Sequence, residues 1–247
     1  MLMAQCSNVE SRSKVTLMNI DIHIYGVHER DDMITATKIK LNLSDDLVHY
    51  DDRPGGGLMM YTAKKAWLAP ISEGVTHRIA LADDVEVCDN FLNICTQIAE
   101  AHPKSIISFF PYEFMKKNPE IEGYDTPYWK AHILSGCAIM MPIEYIEPCF
   151  KYVKERFDDN CADDEGIQAW ADANGIEILT TIPALIQHIG DDSIANKGCF
   201  IRRTEYFEEN PIADFSSSKI MEYRLKEWFF SNNGKLPNTK GVTRVVS

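Results

Sequence analysis

"HRIALADDVEVCDNF", residues 77–91, decides how this chain is read. Its first part, His77–Ala82, is an apolar run that reads as a buried strand. The run passes directly into Asp83 and Asp84, with Glu86 two residues on. Adjacent carboxylates repel, and burying one without a partner is expensive. Either these acids stand in water at a strand end, or a positive charge lies between them. Two readings follow from the residues alone. A strand-end carboxylate can hold a hard divalent cation that bridges phosphates. Alternatively, Asp83, Asp84 or Asp89 caps the next helix and favours its dipole.

The flanking sequence places this strand in an alternating series. Asn19–Val27 alternates apolar residues and is predicted as a strand. Asp31–Leu43 is predicted as a short helix. Leu47–Asp52 reads as a second short strand, ended by Arg53–Gly57, and the next residues are helical up to Pro70. Cys88–His102 carries apolar residues at helical spacing, and Ser105–Pro111 is strand-like. A polar loop runs to about Tyr128, and Ala131–Pro142 reads as a buried strand or strand pair. Ile143–Phe157 and Asp163–Gly175 are predicted helices, the second stopped by Gly175. Ile176–Thr181 is a last strand before Pro183–Ser193. Such alternation predicts an α/β fold with a mostly parallel sheet flanked by helices, in a single domain. Ligands in such sheets bind beyond the carboxyl ends of the strands. Asp51–Asp52 and Asp83–Asp84 both fall there.

The formal net charge is −12, which argues against a broad nucleic-acid-binding surface. The charge is uneven. Residues 1–193 hold 16 Lys and Arg against 31 Asp and Glu, whereas residues 194–247 hold 9 against 6. The C-terminal segment is therefore the better face for an anionic partner. Residues 1–17 read as a polar, low-order extension without the apolar centre of a signal peptide, and Ser231–Ser247 also reads as low-order. The 7 cysteines are scattered, with no C-x-x-C pair, as expected of reduced thiols in a cytoplasmic protein. No apolar run reaches the length of a membrane span.

Three further stretches carry candidate chemistry. "YDDRPGGG" (Tyr50–Gly57) has glycines that allow a backbone to approach a ligand closely, or simply a surface turn. "TIPALIQHIGDDS" (Thr181–Ser193) sets His188 at an element end, where it serves either as a packed core histidine or as part of a site. "CADDEGIQAW" (Cys161–Trp170) puts Asp163 and Asp164 at a helix start, where they cap the helix or act as a general base.

Taken in order, "GGGLMMYTAKKAW…HRIALADD", "CADDEGI" and "PALIQHIG" resemble the glycine turn, D-x-D metal motif, acidic base motif and C-terminal histidine segment of GT-A-fold glycosyltransferases. The resemblance spans about Asn19 to Ser193. It departs from the family at one place, because the first acid of D-x-D falls on Ala82. The phrasing is also similar to small phage-encoded transferases, some of which glycosylate hydroxymethyl-pyrimidines in DNA.

The resemblance implies a nucleotide-sugar donor, a UDP-sugar before others, and an Mn2+ or Mg2+ ion held by Asp84 and His188. Tyr25, Val27 and Arg30 would line the nucleotide pocket. Asp51 or Asp52 would face the base, Lys64 or Lys65 the phosphates or sugar, and Asp83 the ribose or donor sugar. Gly136 would let the backbone approach the sugar. Asp164 is the expected base, with Asp163 as the fallback, and the reaction would invert the anomeric centre. The expected acceptor is hydroxymethylated pyrimidine in DNA. Arg202, Arg203 and Trp228 would contact it, basic and aromatic residues together suiting phosphate contact and base stacking. The alternatives are a surface-glycan or protein acceptor, a metal-dependent phosphoesterase or nucleotidyltransferase, a degenerate nucleotide-sugar-binding module, and, for Tyr223, Trp228 and Phe229, a C-terminal helix packed on the core.

Overall fold

The structure, a computed structural model, describes residues 18–53, 59–112, 116, 126–157, 161–190, 203–224 and 243–246. Its strands are β1 (Ile20–Gly26), β2 (Val48–Tyr50), β3 (His77–Ala82), β4 (Val85–Val87), β5 (Ile106–Ser108), β6 (Tyr128–Lys130), β7 (Ala138–Pro142), β8 (Ile178–Thr181), β9 (Ile186–His188), β10 (Ile220–Arg224) and β11 (Thr243–Val246). Its α-helices are α1 (Asp31–Leu41), α2 (Met59–Trp67), α3 (Phe91–Ala101), α4 (Ile143–Arg156) and α5 (Asp163–Asn174). Among the described residues, nine strands form one sheet in the order β11-β10-β6-β8-β5-β7-β3-β1-β2, and β4 pairs with β9 in a second, two-stranded sheet.

Strands β1, β2, β3, β5, β8 and β11 run one way, while β6, β7 and β10 run against them. The predominance of one direction agrees with the sequence reading; the three reversed strands do not follow from it. The reversal of β7 matters most. It lies between β3 and β5, antiparallel to both, so its beginning sits beside the carboxyl end of β3.

Period-two alternation sorts side chains onto the two faces of the sheet. Ile22, Ile24, Ile79, Leu81 and Met140 pack with Ile34 of α1 and with Phe91, Ile94, Cys95 and Ile98 of α3. Tyr25, Ala80, Ile139 and Met141 pack with Met60 and Trp67 of α2, Phe150 and Val153 of α4, and Ile167 and Trp170 of α5. The molecule is thus an α/β sheet covered by helices on both faces, a Rossmann-like arrangement. Gly175 ends α5 at φ +65°, a left-handed conformation that glycine adopts without strain.

One buried charge ties this framework together. Arg78 on β3 is fully buried. Its Nη2 donates to Asp21 at 2.7 Å, and its Nη1 donates to the carbonyls of Trp67 at 2.8 Å and Ala69 at 2.7 Å. It therefore satisfies carbonyls at the end of α2, which have no partner within the helix, and pins that end to β1 and β3.

Some expectations shift. Ala131–Pro142 yields one strand, over Ala138–Pro142 only. The stretch considered for a C-terminal helix begins as strand β10 over Ile220–Arg224, and Thr243–Val246 of the tail pairs with it. Both gain their conformation from long-range pairing, which local pattern does not report. Among the described residues, no helix is long and apolar enough to cross a membrane.

Candidate functional site

Asp83 and Asp84 form the tight turn from β3 into β4, and both are buried, at 6% and 5% exposure. They do not stand in water. The positive charge between them is Arg30, from the loop after β1. Its Nη1 lies 2.8 Å from Asp83 Oδ1 and 2.5 Å from Asp84 Oδ2. The Val27 N–H donates to Asp83 Oδ2 at 2.8 Å. Neither acid caps a helix, because β4 intervenes and α3 begins only at Phe91. Glu86 points out to solvent.

The small sheet explains how His188 arrives here. β4 and β9 are antiparallel with Val85 opposite His188, and the Ile189 N–H donates to the Asp84 carbonyl at 2.8 Å. That register sets His188 Nε2 2.9 Å from Asp84 Oδ2. The backbone closes in equally tightly. A Cβ on Gly26 would lie 2.2 Å from Asp83 Cβ, and one on Gly190 would lie 2.5 Å from Asp84 Oδ2. Electrostatically the two acids diverge. Burial, followed by the charge of Asp84, raises the pKa of Asp83 against the pull of Arg30. Burial opposes ionisation of Asp84 too, but His188 and Arg30 outweigh it and hold that carboxyl below its ordinary value.

A second acid pair belongs to the same end of the sheet. Asp163 and Asp164 open α5, where the helix dipole favours negative charge. Asp163 is sealed, at 0% exposure. Its Oδ2 accepts the Trp67 indole N–H at 3.3 Å and lies 3.5 Å from the Tyr25 hydroxyl, while its Oδ1 has no partner. Burial first, then the neighbouring Asp164, push the Asp163 carboxyl up to about 7. Asp164 is only partly buried, and its two oxygens accept the N–H groups of Gly136 at 2.8 Å and of Glu165 at 2.9 Å.

Gly136 ties the second pair to β1. It precedes the reversed strand β7, accepts the Tyr25 hydroxyl on its carbonyl at 2.6 Å and donates its N–H to Asp164. One hydroxyl hydrogen cannot serve Gly136 and Asp163 together, and the carbonyl is nearer. A Cβ at Gly136 would lie 3.1 Å from Asp163 Oδ1 and 3.2 Å from Asp164 Oδ2, so a larger residue there would press on both acids. Tyr25 is followed by Gly26, which packs on Asp83. The candidate residues of β1, β3, β7 and α5 thus form one connected group.

The strand-end acids of β2 lie in a separate, more local cluster. Asp51 takes a two-pronged ion pair from Arg53 at 2.9 and 2.8 Å, and Asp52 pairs with Lys65 at 3.0 Å. Arg53 also stacks over Tyr61 at 3.7 Å. Lys64 is half-buried on α2. The Gln187 side chain, one residue before His188, holds the backbone of Thr204 at 2.9 and 3.0 Å. Arg203, next to it, is exposed. Arg202 and Trp228 lie outside the described residues.

Among the described residues, no three His, Cys, Asp or Glu side chains gather into a ready metal cluster. The donor pair still fits an ion that arrives with phosphate. Two adjacent ligands, each about 2.1 Å from one ion, stand about 3 Å apart, and Asp84 Oδ2 and His188 Nε2 are 2.9 Å apart. A phosphate-bound divalent ion needs only one or two protein carboxylates.

Sequence reading missed Trp67 as the partner of Asp163, Gly26 and Gly190 as the seats of the acids, and Arg30 as their counter-ion. Only the glycines left a local trace, each falling at the end of an apolar run. No family model and no curated protein matches the chain.

Proposed function

We propose that this chain is a glycosyltransferase of GT-A type, moving a sugar from a nucleotide-sugar donor to an acceptor hydroxyl. The observation that carries this reading is that Gly136 and Tyr25 hold one acid pair while Gly26, next to Tyr25, packs on the other, at the carboxyl end of β1 and β3. One pair suits the donor and the other suits the acceptor, and substitution at a sugar carbon needs both.

Asp164 is the general base. An acceptor hydroxyl is a poor nucleophile, and a carboxylate that takes its proton must be ionised and reachable. Asp164 is partly exposed, and two backbone N–H groups fix its orientation. Asp163 is not reachable, being sealed behind Trp67 and Tyr25, and serves as a positioning residue for α5 and Tyr25. With Asp164 as base, the GT-A resemblance implies a single inverting displacement.

Asp84 and His188 would hold the Mn2+ or Mg2+ ion, His188 favouring manganese because imidazole suits softer ions. When bound, the ion acts as a Lewis acid that neutralises the departing diphosphate. Val27 and Asp83, at the carboxyl ends of β1 and β3, would face the nucleotide, and Lys64 or Lys65 on α2, the latter beside the end of β2, would face the phosphates or sugar. UDP-sugars are the first donors to examine. The acceptor we favour is hydroxymethyl-pyrimidine in DNA, supported by the basic balance of residues 194–247 against an acidic body.

The test incubates the protein with Mn2+, a panel of nucleotide sugars and DNA containing hydroxymethyluracil or hydroxymethylcytosine, followed by nucleoside digestion and mass spectrometry. A hexose, pentose or N-acetylhexosamine increment supports the full reading. Transfer only to a glycan or peptide replaces the acceptor. Donor binding without transfer to any acceptor overturns the enzyme reading in favour of a binding module.

A further inference from the structure

Arg30 occupies a chemically crowded position. Its single Nη1 nitrogen reaches both acids, at 2.8 Å from Asp83 Oδ1 and 2.5 Å from Asp84 Oδ2. The same Asp84 Oδ2 also faces His188 Nε2 at 2.9 Å. A carboxylate oxygen offers about two lone-pair sites, and both are taken here. An ion held between Asp84 Oδ2 and His188 Nε2 takes the lone pair that now faces His188, and it then stands against the Arg30 guanidinium on the same oxygen. His188 is itself a metal-ligand type, whereas a guanidinium is not.

The packing decides which partner yields. The acids cannot retreat, since the backbone at Gly26 and Gly190 already closes on Asp83 and Asp84. Val27 N–H holds Asp83 from one side, and the pairing of β4 with β9 holds His188. Arg30 reaches the acids as a side chain from a short turn after β1, and a guanidinium is no metal ligand, so its contact with Asp84 Oδ2 is the one an incoming ion opposes.

We propose that Arg30 is the resident counter-ion of the acid pair and that a divalent cation entering beside His188 displaces the guanidinium, so the two cations compete for Asp84 Oδ2. The inference rests on the assignment of Asp84 and His188 as cation ligands made above. It adds a coupling that the ligands alone do not have. The ion-free site stays neutral enough to fold, because two buried carboxylates keep a positive partner. Once the ion is seated, Arg30 is released with its charge intact and becomes available to an anionic donor. Metal entry and anion binding then favour each other through one side chain.

The test is direct Mn2+ binding, read by loss of the free-ion electron paramagnetic resonance signal, with no donor or acceptor present. Wild type is compared with Arg30→Gln, Arg30→Lys and the double variant Arg30→Gln/Asp84→Asn. Removing a unit charge a few ångströms from a dication is a large electrostatic change. Arg30→Gln is therefore expected to bind Mn2+ at least about tenfold more tightly than wild type. Arg30→Lys keeps a cation at the acids and should stay near wild type, and Asp84→Asn should abolish the gain. Because Arg30→Gln removes the guanidinium shared by two buried acids, its melting temperature is followed too, and Mn2+ should raise it more than it raises that of wild type. Equal or weaker binding by Arg30→Gln, a gain that survives Asp84→Asn, an equal gain in Arg30→Lys, or no binding by any form overturns the proposal. Each outcome is independent of sugar transfer, so failure here leaves the transferase reading to its own assay.

Discussion

Replacing Asp163 by asparagine tests whether the sealed acid of α5 carries the electrostatic cost that its surroundings imply. Asp163 is at 0% exposure, with Asp164 beside it and one oxygen unpartnered. Its carboxyl titrates near 7 in the folded chain, against an ordinary value of 3.8. A folded-state pKa raised in this way gives a contribution that is complete below the unfolded value and is lost as pH rises through the folded one. At about 1.4 kcal/mol for each pH unit, the gap amounts to roughly 4 kcal/mol, spread from about pH 4 to about pH 7. Asparagine keeps an oxygen for Trp67 and removes the titration. It also buries an amide N–H2 where Oδ1 now has no partner, at a cost of about 1–3 kcal/mol. That cost does not change with pH, so it cancels when the same pair of proteins is compared across pH. Urea unfolding of wild type and Asp163→Asn at about pH 4.5 and about pH 8 provides the measurement. The stability of the variant relative to wild type is expected to rise by about 3 kcal/mol over that interval. A relative stability constant to within about 0.5 kcal/mol would refute the reasoning, and would mean that Asp163 ionises freely in the folded chain.

Two other substitutions probe the same framework. Asp164→Asn keeps the shape but removes the proton acceptor, and is expected to leave nucleotide-sugar binding intact while lowering turnover by roughly 10²–10⁴-fold in a single-donor transfer assay. Arg78→Met leaves the Asp21 carboxylate with His23 at 3.5 Å and strands the carbonyls at the end of α2, and is expected to cost about 3–5 kcal/mol in urea unfolding, with a loss below about 1 kcal/mol counting against the staple described for Arg78.

Much of the site was legible because its signals are local. The alternation in β1, the apolar run of β3 and the left-handed stop at Gly175 are properties of a few neighbouring residues. So are the acids at Asp83, Asp84, Asp163 and Asp164, whose types announce chemistry wherever they fall. What stayed hidden depends on pairing across the chain. Nothing within Ala138–Pro142 states that β7 runs against β3, yet that reversal brings Gly136 to Asp164. Nothing in "VEV" or "IQH" states that they pair, yet their register brings His188 to Asp84. The two acids of α5 are adjacent and chemically identical in sequence. Only the packing of Trp67 and Tyr25 seals one and leaves the other reachable. The opening dilemma at Asp83 and Asp84 had the same character: local sequence could pose the need for a positive charge, but only the loop after β1 could supply Arg30.

The glycines set against these acids have an evolutionary consequence. Gly26 with Asp83 and Gly190 with Asp84 each share a fixed space that a single methyl group would overfill. Drift at either glycine is therefore blocked while its acid remains. A lineage that enlarges Gly26 meets the Asp83 Cβ at 2.2 Å, an atom that every residue but glycine keeps, and one that enlarges Gly190 meets the Asp84 Cβ at 2.9 Å even after the carboxylate is gone. Shortening the acids therefore does not free the glycines; the backbone of the turn has to move as well. Descendants that keep this backbone are held to both glycines, whether or not they keep the acids.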